Sequence, residues 1–121
     1  MLAVAGCSGV QPRVSEGPPP PALGPEAVDT PPAPVGGLRA VQERTDYPEA
    51  ARDRWIQGQV VVRAVVAPDG RVVWVAVEQS VHPLLDAAAV EAVWDSPFEP
   101  ARLDGEPVQG VALVPLNYRL R

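Results

Sequence analysis

From residue 59 onward apolar and polar residues alternate along the chain. In QVVVRAVV the even positions Val60, Val62, Ala64 and Val66 are all apolar, whereas the odd ones include Gln59 and Arg63. A period of two marks a strand with one buried face, so the even side chains should meet the core. The next residues, PDG, combine a preset φ at Pro68, a tolerant Asp69 and a left-handed Gly70, which predicts a hairpin with a type I turn and a bulge. In the returning strand Val72, Val73, Val75 and Val77 mix parities around Trp74. A bulge near Val73 and Trp74 would put Val72, Val75 and Val77 on the core side and turn Trp74 outward as an exposed aromatic.

The period then changes. In HPLLDAAAVEAVWDSP, Leu85, Ala88, Ala89, Ala92 and Val93 fall on one stripe of an amphipathic helix, with Asp86 and Glu91 facing water and Pro97 ending it. Upstream, TDYPEAARDRWIQG predicts a shorter helix that opens at Pro48, repeats Tyr47, Ala51 and Trp55 on one side and stops at Gly58. The final segment GVALVPLNYRLR alternates again, with Ala112, Val114, Leu116, Tyr118 and Leu120 on one face and Pro115 on the other. A proline cannot serve a ladder on both sides, so this strand should have a free edge. The order helix, strand, strand, helix, strand predicts an α+β fold: a three-stranded antiparallel sheet with helices packed on one face.

Composition restricts this fold to part of the chain. Nine of the 16 prolines lie between Pro12 and Pro34, and residues 8–39 lack aromatic residues and apolar periodicity. Such a segment is expected to be a disordered tether, with the folded domain at 40–121. The net charge is -5, and all 10 basic residues are arginine without forming a basic stripe, which argues against nucleic acid as a partner. The single cysteine, Cys7, excludes a disulfide framework and a cysteine-based metal site. Its setting in LAVAGCSG resembles the lipobox of bacterial lipoproteins, so residues 1–7 read as the remnant of a lipoprotein signal and Cys7 as the lipidation site.

Two groups of residues invite a catalytic reading. Ser80, His82 and Asp86 lie close in sequence, but a strand end running into a helix offers neither an oriented base nor an oxyanion hole, which leaves a small hydrolase as a weak alternative. Glu99, Asp104 and Glu106 stand in SPFEPARLDGEPV among prolines, Arg102 and Gly105, and read as solvated turn residues, with Phe98 dropping into the core. Neither a metal nor a cofactor is called for.

Taken together, the stretches YPEAARDRWIQGQVVVRAVVAPDGRVVWVAVEQS, LLDAAAVEAV and FEPARLDGEPVQGVALVPLNYRL resemble the C-terminal domain of the TonB family over nearly all of residues 47–120. The resemblance rests on the order of Tyr47-Pro48, Ala51, Gly58, Asp69-Gly70, Ser80, Leu85-Asp86, Phe98, Pro100, Gly105, Pro107-Val108, Pro115 and Tyr118. It implies a non-enzymatic domain of the bacterial periplasm that takes up an extended segment of an outer-membrane transporter, or of another envelope protein, by strand addition. The edge implied is the last strand: Val111, Ala112, Leu113, Val114, Leu116, Asn117 and Tyr118. The same edge would allow self-association. A full-length member of the family transmits force from an inner-membrane motor through an N-terminal membrane helix. No stretch of about 18–20 apolar residues occurs here. The transducer reading therefore places that helix upstream of Met1, whereas the lipobox reading anchors the protein through Cys7. Two smaller departures are Ser96, where the family usually has an aromatic residue, and Ser80-Val81-His82, where it has a serine pair or serine-glycine.

Overall fold

The computed structural model describes residues 13–119, so Cys7 and Leu120 lie outside the described residues. In chain order the elements are a 3-10 turn at Pro25–Ala27, β1 (Ala33–Pro34), α1 (Leu38–Arg44), α2 (Glu49–Asp53), β2 (Gly58–Val66), β3 (Val72–Gln79), α3 (Pro83–Asp95), β4 (Phe98–Glu99), β5 (Ala101–Leu103), β6 (Glu106–Val108) and β7 (Gly110–Tyr118). The fold is α+β. Its centre is an antiparallel sheet of order β3-β2-β7, and α3 lies across the inner face.

The alternation in β2 works as its sequence requires: Val60, Val62, Ala64 and Val66 are all fully buried against α3 and β7. The hairpin turn closes as expected, with Gly70 at φ +90° and both carboxylate oxygens of Asp69 accepting from Arg71, one from its main-chain N–H and one from its Nε. A Cβ on Gly70 would strike the carbonyl oxygen of Phe98, so glycine here also lets the turn pack against the strand that follows α3. The pairs Val65–Trp74 and Val66–Val72 leave Val73 without a partner on β2, so the bulge sits where the mixed parity predicts it. Val72 and Val77 pack against the core and Val75 is fully buried.

Trp74 does turn to the outer face, away from α3, but it is not exposed: it retains 8% of its accessible surface, and its paired neighbour Val65 retains none. The cover comes from the proline-rich segment, expected to be a free tether. Ser15 donates its N–H to the Val75 carbonyl at the outer edge of β3, and Leu23 pairs with Gly110 at the outer edge of β7. Residues 16–22 therefore connect the two borders of the sheet, and their passage over the outer face accounts for the burial of Val65 and Trp74. Three strands are about 10 Å across, well within the reach of that many extended residues. The segment then runs beside the connector after α3, through bonds of Asp29 and Thr30 with Arg102 and of Val35 with Pro97.

α1 packs against α3 and β7 with Val41 fully buried, an element that the sequence pattern did not announce. α2 is a single short helix ending before Trp55, whose φ of +57° turns the chain; it stops there rather than at Gly58. Trp55 accordingly leaves the face it would share with Tyr47 and Ala51 and stands 68% exposed. On α3 the buried stripe is broader than five positions and includes Ala87, Val90 and Asp86. Phe98 is in the core, as expected, and Asp104-Gly105 form a two-residue turn with both φ positive between β5 and β6.

Candidate functional site

Asp86 was expected in water, yet it is buried, and its surroundings decide the catalytic question. Its carboxylate accepts from Ser80 Oγ and from the main-chain N–H of Val81. His82 faces elsewhere: its Nδ1 accepts from the Leu84 N–H at 3.1 Å and caps the start of α3. Serine thus contacts the acid directly while the imidazole contacts neither, an arrangement that clamps the end of β3 to the helix and lacks the relay of a hydrolase. Glu99 is exposed at a strand end, and Asp104 and Glu106 stand exposed at the β5–β6 turn, so these acids share no buried site. No cluster of metal-ligating side chains occurs among the described residues.

What remains is the border of the sheet. β2 is paired on both sides, which makes β3 and β7 the edges. On β7, outward-directed main-chain groups alternate with those bonded to β2. The Val111 N–H donates outward to Leu23, and the Asn117 N–H outward to Gln42, which fixes Val111, Leu113, Pro115 and Asn117 as the edge-facing residues. Ala112, Val114, Leu116 and Tyr118 direct their main-chain groups to β2 and their side chains into the core. Of the seven residues the resemblance implies, Val111, Leu113 and Asn117 thus face the edge, and Pro115 joins them. The Leu113 side chain is 55% exposed. Pro115 presents a carbonyl but no N–H.

Two groups that sequence reasoning did not single out complete this border. The Gln42 amide donates to the Asn117 carbonyl at 2.7 Å and accepts from the Asn117 N–H at 2.9 Å, as a residue of a neighbouring strand would. Leu23 donates to the Gln109 carbonyl and accepts from Val111, both at 3.0 Å. Neither is legible from composition, because each depends on which residues the fold brings to the border. The opposite edge, on β3, carries Ser15, whose Oγ accepts from the Val75 N–H at 3.0 Å.

The inner end of β7 is anchored by Tyr118, which is 2% exposed, meets Tyr47 edge-on at 5.5 Å and bonds through its hydroxyl to Thr45. Burial pushes its hydroxyl above the ordinary value of 10.0; the Thr45 bond opposes this, and the negative charge of Asp86 adds to it.

Residues 43–120 match the family described as Gram-negative bacterial TonB protein C-terminal. The chain belongs to this family. Solved relatives agree on the fold. The solution structure of the Helicobacter pylori TonB C-terminal domain, residues 194–285, is 28% identical and aligns over 67% of this chain and 86% of that one, with a TM-score of 0.52. A longer form of that domain, residues 179–285, is 26% identical over 69% of this chain and 76% of that one, with a TM-score of 0.54. The Pseudomonas aeruginosa TonB C-terminal domain is 28% identical over 64% and 79% of the two chains, with a TM-score of 0.53. No curated protein sequence matches the chain. Membership places this TonB domain in the bacterial envelope. Among the described residues no helix is long and apolar enough to cross a membrane. The family's usual aromatic position is taken by Ser96, which is buried and donates its hydroxyl to the Ala92 carbonyl at 2.7 Å.

Proposed function

We propose that this TonB domain is a non-enzymatic periplasmic binding module that takes up an extended segment of an outer-membrane transporter, or of another envelope protein, on the border of β7. The observation that carries this reading is Leu113. It lies in the middle of an edge strand in full register with β2, and its outward N–H and carbonyl have no partner among the described residues. Such a pair of groups offers an incoming strand two main-chain bonds at once, with the exposed Leu113 side chain beside them for apolar contact. Domains of this family interact with outer-membrane transporters, which supplies the class of partner. The small residues before Cys7 favour a lipid at that cysteine as the anchor, with the proline-rich segment between anchor and sheet.

The test is a titration of the full chain with synthetic extended peptides copied from the N-termini of outer-membrane transporters, followed on backbone amides. Shifts centred on Leu113 and spreading toward Val111 and Asn117 are expected. Binding that shifts only the β3 border or α3 would overturn the edge assignment. For the anchor, protein recovered from bacterial membranes should carry the mass of an acylated Cys7, and a Cys7→Ala variant should be released in soluble form.

A further inference from the structure

The edge that would take up a partner is already partly taken by the chain itself. In β7 the outward groups belong to Val111, Leu113, Pro115 and Asn117. Leu23 holds Val111, the Gln42 amide holds both groups of Asn117, and Pro115 has no N–H to offer. The stretch left open runs from the Val111 carbonyl to the Pro115 carbonyl. That is shorter than the five or six residues of an ordinary strand.

The proline-rich segment is shaped to stop where it does. Leu23 lies parallel to β7, with its N–H on the Gln109 carbonyl and its carbonyl on the Val111 N–H. In a parallel ladder the next donor would be two residues on, reaching the Val111 carbonyl. That residue is Pro25, which has no N–H and begins a 3-10 turn leading away. Pro21, two residues before Leu23, has none either; it contributes only its carbonyl, which accepts from Gln109 Nε2 at 2.7 Å. The segment therefore makes one ladder step and cannot zip further along the edge. At the far end Gln42 is a single side chain on α1, and rotating it away would leave the helix backbone in place.

We infer that Leu23 and Gln42 form a built-in gate on the β7 border, so that an extended partner docks by displacing them in cis rather than by adding to a vacant edge. The occupant is the extended peptide of the docking reading, on which this inference rests. The Leu113 groups serve as the point of first contact. From there the incoming strand grows outward as Gln42 and Leu23 let go, and a partner too short to reach both keeps neither released.

Amide hydrogen exchange on the free full-length chain tests the gate without any partner. The Val111 and Asn117 amides should be protected and the Leu113 amide should exchange near its unprotected rate. Gln42→Met should expose Asn117 alone, and Leu23→Pro, which deletes the N–H on the Gln109 carbonyl and so loosens the segment whose carbonyl holds Val111, should speed Val111 exchange alone, with the core amides of β2 unchanged as the check on folding. Gln42→Glu keeps an acceptor for the Asn117 N–H and should retain its protection. If Val111 and Asn117 exchange as fast as Leu113 in the unaltered chain, there is no gate. With the transporter peptides, Leu23→Pro, which removes one bond, should raise affinity roughly fivefold, the factor one net hydrogen bond is worth, and Gln42→Met, which removes two, should raise it by more. Affinity that stays unchanged while protection is lost overturns displacement and leaves edge docking standing. Peptide that shifts no β7 amide in any variant overturns both.

Discussion

β3 and β7 border the same central strand, yet β3 breaks register with β2 twice, leaving Val73 and Glu78 without partners, whereas β7 keeps register through all nine pairs from Gly110 to Tyr118. Bulges bend and twist an edge so that a further flat strand fits poorly, and charge on the same stretch adds to this; Glu78 there is paired with Arg63 at 2.9 Å. A regular edge has no such protection of its own. Here it is covered by Leu23 and Gln42, one residue of the proline-rich segment and one side chain of α1. One edge is irregular by its own geometry and the other is regular and covered, and the proposed docking on β7 rests on that difference.

The largest expected effects come from cutting each edge strand loose from the core. Leu116 is fully buried on the inner side of β7, so Leu116→Ala should lower stability by about 2–5 kcal/mol in denaturant unfolding. A loss below about 1 kcal/mol would mean that β7 is held by its ladder alone. β3 is clamped at its end by Asp86 instead. Asp86→Ala strands the Ser80 hydroxyl and the Val81 N–H and should cost about 1–3 kcal/mol. Asp86→Asn, which keeps an acceptor, should cost less. If alanine and asparagine cost the same, hydrogen bonding is not what the clamp contributes.

The central sheet was legible because its signals are local. Alternation in β2 and β7, the Asp69-Gly70 turn and the parity break at Val73 each report a conformation that neighbouring residues impose on one another. Trp74 shows where local reading ends: its outward orientation follows from the bulge, but its burial depends on a segment some fifty positions away in sequence. The same holds for Leu23 and Gln42, whose importance comes from the strand they lie beside. At the proline-rich segment composition reports only core-forming capacity, and poor capacity does not prevent a stiff extended chain from lying along a sheet already formed. Asp86 was read by helix period alone, and period cannot register an acceptor needed by the strand end that runs into the helix.

A subtler effect separates the far ends of the two edges. Tyr118 closes β7 with a buried hydroxyl bonded to Thr45, so Tyr118→Phe should cost about 1 kcal/mol at neutral pH. The folded state holds the Tyr118 proton more tightly than the unfolded one, because burial raises its value above 10.0. Its contribution to stability is therefore whole below pH 10 and is lost as pH rises from there toward the folded value. The chain contains no lysine, which leaves the alkaline limb unusually clean. Unfolding measured from pH 8 to 11.5 should show a decline in the natural chain that is shallower in Tyr118→Phe; equal slopes would refute the assignment.

The smallest effect tests whether the end of the regular edge has an aromatic rim. Trp55 leads into β2 just before Gly58, the residue that pairs with Tyr118 at the end of β7. It is exposed and left-handed, a conformation costly for a bulky side chain and readily adopted by asparagine. Trp55→Asn should therefore raise stability, by about 0.5 kcal/mol. If it also weakens peptide binding at β7 by a few-fold, the strain is kept because the indole touches the partner. If binding is unchanged, Trp55 is only a costly turn, and the selectivity of the edge rests on Leu113, the sole large exposed apolar side chain along β7.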